Sequence, residues 1–262
     1  QASEDDKLDT YGYKSTQTGF TIGTSFEYYD DLFLGLATEN FIEDISVTSK
    51  ASNKQKKMSG NYVDSFISLD FNYDKRDQKF ATSKGYYSFY NIDLPLLSDT
   101  GTLNNTYNYK YFTELYDNNS SSFSFLLGSS FSVNDKDIKL SERLFIPASK
   151  LRGFESGKIG PKDGNDFIGG NYISAINLQS TLPILFQNSQ DLDAVIFFDV
   201  ANIWGVDYDS SISDNSKIKS SIGIGVDWMT VIGPLNFSLT EVLSKDTTDV
   251  EQSFRFNLGT TF

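Results

Sequence analysis

The 262-residue chain contains no cysteine and no histidine. Without cysteine the protein can form neither a disulfide framework nor a thiolate nucleophile. Without histidine it lacks the usual general base and the commonest metal ligand. These absences argue against a hydrolytic triad and against a zinc site. We therefore expect a protein that is not an enzyme, with no catalytic residue, no metal and no cofactor.

Long apolar runs are also missing. The longest wholly apolar stretch covers only residues 194–198, whereas a membrane-spanning helix needs about 20 apolar residues. Positive charge is scarce, with 22 Lys and Arg against 35 Asp and Glu and a net charge of −13. Phosphate binding needs a basic surface, so nucleic acid is not an expected partner.

The sequence does have many aromatic residues, 15% of the chain, and a strong alternation of apolar and polar side chains. The clearest example is at the carboxyl end, where Phe254, Phe256, Leu258 and Phe262 share one face. A period of two predicts a β-strand, because successive side chains point to opposite faces of a sheet. We interpret the apolar face of this strand as facing lipid.

The same alternation predicts about eleven strands and no helix of convincing period. The strands cover residues 18–28, 32–39, 63–74, 85–94, 106–116, 122–133, 170–182, 193–204, 219–228, 234–243 and 252–262. Short connections alternate with long polar ones, at 40–62, 134–169 and 205–217. That asymmetry is typical of an all-β, antiparallel transmembrane barrel of the outer membrane. A soluble β-sandwich is the alternative.

About eleven strands do not close a bacterial barrel, whose strand number is even. An open edge in hydrocarbon would leave backbone groups without hydrogen bonds. We therefore expect residues 1–262 to be one domain, the C-terminal part of a barrel whose first strands lie upstream of Gln1.

The longest connection, residues 134–169, contains many apolar side chains and is not a simple polar loop. Its large apolar side chains include Leu144, Phe145, Ile146, Leu151, Phe154 and Ile159. Such a composition argues against disorder, and a loop of this length is usually functional. We expect it to fold into the barrel lumen as an internal strut.

At the centre of this loop stand Leu151, Arg152, Gly153 and Phe154. Arg152 carries a rigid fork of donors that suits a carboxylate. Alternation places two carboxylates on the inner face of the wall, Asp199 and Asp227. Either could pin the loop, while Gly153 would allow close approach or a positive φ and Phe154 would anchor the tip.

Several motifs occur in one order along the chain. They are the Leu-Arg-Gly-Phe run at 151–154, residues 74–77 with 80–86, the Phe-Asp-Val-Ala run at 198–201, residues 228–239, and the ending at 254–262. Together they resemble the BamA/TamA superfamily of outer-membrane barrels that insert or secrete other polypeptides. The resemblance spans about residues 62–262 and is strongest to the assembly-factor branch. Within that family, position favours Asp199 over Asp227 as the partner of Arg152.

The resemblance implies a barrel of about sixteen strands, with about five strands and the periplasmic POTRA domains outside this chain. It implies a non-enzymatic insertase in the outer membrane of a Gram-negative bacterium. Its partners would be the lipid bilayer, unfolded outer-membrane proteins as clients and accessory lipoproteins. A secretion pore of the same superfamily is the runner-up, and a passive diffusion porin is the alternative from another class.

An insertase of this kind would act through a lateral seam beside its last strand. A weakly paired edge can accept an incoming strand by β-augmentation. Gly259 suits that role, because glycine weakens a strand interior. The predicted gate therefore comprises the terminal-strand residues Phe254, Phe256, Leu258, Gly259 and Phe262.

Overall fold

One continuous antiparallel sheet of twelve strands dominates the fold. The computed structural model describes residues 2–7, 12–79, 82–186, 189, 191–213, 217–230 and 233–258. Within these residues no helix is both long enough and apolar enough to cross a membrane. The all-β antiparallel architecture predicted from the alternation is confirmed.

The strands follow one another across the sheet in chain order. They are β1 (Ala2–Lys7), β2 (Tyr13–Tyr29), β3 (Leu32–Val47), β4 (Gly60–Asp74), β5 (Gly85–Ser98), β6 (Thr102–Thr113), β7 (Ser121–Ser132), β8 (Tyr172–Thr181), β9 (Leu192–Trp204), β10 (Lys219–Thr230), β11 (Gly233–Ser244) and β12 (Phe254–Leu258). Each strand pairs with the next, so that every connection is a simple antiparallel return.

All eleven predicted strands are present, and β1 is an addition that the alternation did not reveal. The predicted connection at 40–62 is shorter than expected, because β3 continues to Val47 and β4 begins at Gly60. Glu43 and Asp44 interrupt the apolar pattern here, but the ladder continues, since backbone pairing does not depend on apolar side chains. The remaining link holds a single helical turn, α1 (Asn53–Lys57), whose capping residue is Ser52.

The two faces of the sheet differ in character. In β9 the side chains of Phe197, Asp199 and Ala201 are buried on the inner face, while Ile196 is exposed on the outer face. Large apolar side chains stay exposed on the outer face of other strands, including Phe20, Ile22, Leu127, Ile176, Ile222, Ile224 and Leu239. An apolar outer face and a polar interior are the arrangement of transmembrane barrels.

The connection between β7 and β8, residues 133–171, lies against the inner face of the sheet and is called the inner loop below. Its apolar side chains form one buried cluster with inward residues of the wall: Leu126, Ile146, Leu151, Phe154, Ile159, Ile173, Ala175, Ala201 and Ile203. A second cluster joins Leu140 and Ile168 of the inner loop to Tyr13 and Ile45 of β2 and β3. The inner loop therefore touches the wall on both sides of the concave face.

Both ends of the sheet are edges among the described residues, because β1 pairs only with β2 and β12 only with β11. Within the described residues the β11–β12 ladder runs from the Leu239–Phe254 pair to the Leu235–Leu258 pair. The residues just before β12 leave the sheet and pair elsewhere: Glu251 and Gln252 lie opposite Phe154 and Gly153 of the inner loop. The terminal segment thus has two pairing partners in succession.

Candidate functional site

The tip of the inner loop is held to the wall by Arg152. Its Nε atom lies 2.7 Å from Oδ2 of Asp199, and a terminal guanidinium nitrogen lies 2.8 Å from Oδ1. The backbone N–H of Arg152 donates to the same carboxylate at 3.0 Å. Asp199 is completely buried. This is the bidentate geometry in which an arginine–carboxylate pair is strongest.

Further contacts fix the guanidinium in place. The other terminal nitrogen donates to Oε1 of Gln179 at 2.8 Å, and the guanidinium carbon lies 3.5 Å from the centroid of the Phe197 ring. The hydroxyl of Ser221 donates to the Arg152 carbonyl at 2.6 Å. Sequence alone did not identify these three partners, although alternation along β9 places Phe197 on the same face as Asp199.

Gly153 and Phe154 occupy the position beyond this ion pair. The φ of Gly153 is +89°, and a Cβ atom there would lie 2.6 Å from Cγ2 of Thr240 on β11. Both the backbone angle and the available space therefore require glycine. Phe154 and Leu151 are each 2% exposed within the loop cluster. The motif places its charged residue on the wall and its apolar residues in the core.

The second predicted carboxylate, Asp227, lies on β10 and has a different partner. It accepts a hydrogen bond of 2.7 Å from the side-chain amide of Asn236 on β11. Within the described part of the chain, the ion pair of Arg152 is made with Asp199. The structure thus brings Arg152 together with one of the two proposed carboxylates.

The terminal strand β12 presents Phe254, Phe256 and Leu258 on its outer face, each at least half exposed. The ring of Phe256 lies 5.1 Å from that of Phe237 on β11, measured between centroids. Two other predicted gate residues, Gly259 and Phe262, lie outside the described residues. The apolar face predicted for this strand is therefore visible over 254–258.

A further residue of β12, Arg255, points inward and was not singled out by the sequence. It is 7% exposed, and its guanidinium donates to the carbonyl oxygens of Ala148 and Phe154. Both carbonyls belong to the inner loop and flank the Arg152 position. Alternation had placed Arg255 on the polar face, but only the fold shows what it touches.

The base of the inner loop is held by a separate charged cluster on β3 and β4. The Nζ atom of Lys139 lies 2.8 Å from Glu43 Oε2 and 3.3 Å from Glu142 Oε1, and it also contacts Asp64. Hydroxyl groups complete the cluster, since Thr102 donates to Glu142. These polar residues are far apart in sequence, and no motif joins them, so sequence reasoning missed them.

Burial and charge act in opposite directions within this base cluster. Burial disfavours the ammonium form of Lys139, but the surrounding carboxylates, led by Glu142 and Glu43, outweigh that effect and raise its pKa. Burial raises the pKa of the Glu142 carboxyl, against the opposing attraction of Lys139. One cation is therefore shared by three carboxylates in a dry environment.

The structure offers no obvious metal centre in the part of the chain that it describes, since no group of three or more acidic side chains there could hold an ion. In the base cluster the Lys139 ammonium itself occupies the space between the carboxylates. The arrangement suits the positioning of a loop.

Comparison with known proteins places these features in a family. The family model described as the Omp85 superfamily domain matches residues 1–262. The outer membrane protein assembly factor BamA of Neorickettsia risticii is 25% identical over 257 residues, covering 95% of this chain and 34% of the relative. BamA of Neisseria meningitidis is 24% identical over 302 residues, covering 95% of this chain and 37% of the relative.

Among solved structures, BamA from Haemophilus ducreyi lacking POTRA domains 1–3 superposes with a TM-score of 0.81. The match has 20% sequence identity and covers 94% of this chain and 54% of that one. The chain thus spans about a third of the length of the two curated relatives. The resemblance drawn from the sequence motifs is confirmed.

Proposed function

Because this chain belongs to the Omp85 superfamily, we propose that it forms part of an outer-membrane barrel that folds and inserts other β-barrel proteins. The curated relatives are named as outer membrane protein assembly factors. We assign the chain to the C-terminal part of a barrel of about sixteen strands, preceded by further strands and POTRA domains. Its location would be the outer membrane of a Gram-negative bacterium.

The observation that carries this proposal is the state of the terminal strand. Among the described residues β12 is an edge strand, and it pairs with β11 from Phe254 to Leu258. An unpaired edge presents a row of N–H and C=O groups to which an incoming strand can add. The seam between β12 and the first strand of the barrel would be the site where a client strand enters.

The other proposed partners are the lipid bilayer, client proteins and accessory lipoproteins. The exposed apolar face of β12, with Phe254, Phe256 and Leu258, would contact the bilayer. Unfolded outer-membrane proteins would be the clients, and accessory lipoproteins would assist them. The protein would act without catalysis, because strand exchange needs only a partner edge. The inner loop would hold the wall in shape beside the seam.

A disulfide across the seam tests the proposal. Asn257 is half buried on β12, on the inner face that alternation from Arg255 defines. A cysteine at Asn257 joined to a cysteine in the first strand should block insertion of client barrels into vesicles. Reductant should restore it, because the seam can then part again. The single Asn257→Cys variant, under the same oxidation, is the control.

The outcome separates the proposed insertase from the alternatives. A diffusion porin conducts through its lumen, and a secretion pore passes its substrate through the same space, so neither needs the wall to part. Full insertion activity with a complete crosslink would contradict the lateral-seam mechanism. Conduction or export that persists while client insertion is never observed would favour a porin or a secretion pore.

A further inference from the structure

The terminal segment is tied to the inner loop along most of its approach to the sheet. Glu251 and Gln252 pair with Phe154 and Gly153. The backbone N–H of Glu155 donates to the Val250 carbonyl at 2.9 Å, and the N–H of Val250 donates to the Lys158 carbonyl at 3.0 Å. The N–H of Gly160 reaches the Asp249 carboxylate at 3.0 Å. The inner loop therefore serves as a neighbouring strand for residues 249–252.

Arg255 closes this arrangement from the side of β12. Its guanidinium donates to the carbonyls of Ala148 and Phe154, and Gln252 accepts a weaker contact at 3.3 Å. Within the described residues Arg255 is in no ion pair at 4.0 Å or less. A buried cation without a counter-ion is costly unless hydrogen bonds satisfy it, so these carbonyls are what keeps Arg255 inside.

We propose that Arg255 is the latch of the seam: a positioning residue that holds the beginning of β12 on the tip of the inner loop. Arg152 fixes the tip to β9, and Arg255 fixes β12 to the same tip. The terminal strand can swing away from its seam position only after the Arg255 hydrogen bonds break. This proposal rests on the proposed lateral-seam function, and it names the contact that regulates opening.

The size of the effect follows from the bonds involved. Hydrogen bonds that involve a charged group are roughly twice as strong as those between neutral groups. Loss of the guanidinium also leaves the two carbonyls of the inner loop without this donor. Because two such bonds are lost, Arg255→Ala should raise local opening of residues 251–254 at least about tenfold.

The test is amide hydrogen exchange in the intact protein reconstituted in lipid nanodiscs. Arg255→Ala should raise exchange at residues 251–254 by that factor, while the amides of β8 and β9 stay unchanged. Arg255→Lys keeps the charge but has one nitrogen in place of the guanidinium fork. It should therefore give a smaller increase in exchange at residues 251–254. The lysine variant keeps the test informative if the alanine variant fails to fold.

A matched control is available in the same loop. Arg143 is 4% exposed and pairs with Asp207 and Asn171, away from the terminal segment. Arg143→Ala removes an equally buried arginine and should leave exchange at 251–254 unchanged. The latch is refuted if Arg255→Ala changes nothing there, or if Arg143→Ala loosens 251–254 as much.

Client insertion by the unaltered protein is measured in parallel, and this assay tests the proposed function independently of the exchange result. If the unaltered protein inserts no clients, the insertase function fails even when the exchange result supports the latch. If it inserts clients and exchange at 251–254 does not respond to Arg255, the latch fails and the insertase function stands.

Discussion

The base and the tip of the inner loop are both anchored by a cation, but in different ways. At the base, Lys139 is 1% exposed and is shared by three carboxylates, two of which are completely buried. At the tip, Arg152 has one carboxylate partner and its side chain keeps 16% exposure. The base holds more carboxylates than cations, whereas at the tip Asp199 lies near several cations, Arg152, Lys150 and Arg255.

This difference separates a fixed attachment from a releasable one. Removing Lys139 from its site would leave several carboxylates buried without a cation, which is among the most costly changes in a protein. The tip depends on one ion pair together with hydrogen bonds to carbonyls and to the terminal segment. Motion near the seam is therefore expected at the tip, while the base keeps the loop inside the barrel.

The largest expected effect comes from breaking the base. Lys139→Met should destabilise the protein by about 3–5 kcal/mol, because Glu43 and Asp64 would remain buried and unpaired. Heat-dependent mobility in detergent gels, read as the unfolding temperature, measures this. Lys136→Met, which alters an exposed lysine three positions earlier, should have little effect. Equal losses in the two variants would show that the base cluster is not an anchor.

Charge reversal at the tip should have the next largest effect. Arg152→Glu sets a carboxylate against the buried Asp199 and removes the fork, for a loss of about 2–3 kcal/mol. Arg152→Lys keeps the charge but not the bidentate geometry, and should lose about 1 kcal/mol. Outer-membrane protein levels in cells that depend on each variant report the consequence. Wild-type levels with the glutamate variant would contradict an anchoring role.

A smaller effect is expected from the glycine beside the ion pair. Gly153→Ala should cost about 1–3 kcal/mol, from the positive φ and from the clash with Thr240. Gly164 also has a positive φ, +64°, but a Cβ there meets nothing within 4 Å. Gly164→Ala therefore isolates the backbone cost. Thermal unfolding in detergent should show Gly153→Ala as the more damaging change, and the reverse order would reject the close-contact argument.

The smallest effect is a pH dependence at the base. The pKa of Glu142 is raised by burial, so its protonated form favours the folded state. Stability is lost as pH rises from the ordinary carboxyl value of 4.5 through the raised folded pKa. Glu142→Gln lacks that loss, so its stability relative to the unchanged protein should grow with pH across this window. Unfolding temperatures at successive pH values measure the trend, and parallel curves would rule it out.

The sequence predicted those features that repeat along the chain. Alternation located the strands, and the Arg152 motif pointed to a loop tip facing Asp199. The sequence did not reveal the other partners of Arg152, Gln179 and Ser221. These residues lie near Arg152 because of the register between neighbouring strands, which the sequence does not give. Nor did it reveal the pairing of Lys139 with Glu43, since polar residues 96 positions apart meet only through folding.

The strand boundaries show the same limit. β3 extends to Val47 through a stretch in which Glu43 and Asp44 interrupt the apolar pattern. Backbone hydrogen bonds hold this part of the ladder, and they depend on the neighbouring strand more than on side-chain type. β1 escaped detection because Ser3–Lys7 is polar throughout, so that this strand is recognised only by its pairing with β2.

The change of pairing partner before β12 also has a consequence for the order of folding. Glu251 and Gln252 have no strand partner until Gly153 and Phe154 are in place, and the Arg255–Phe154 contact joins residues 101 positions apart. Contacts that span so much chain form slowly, because a long loop must close first. The inner loop must therefore settle inside the nascent barrel before the terminal segment completes its native pairing. Pairing of the terminal segment should be a late step in the folding of this protein.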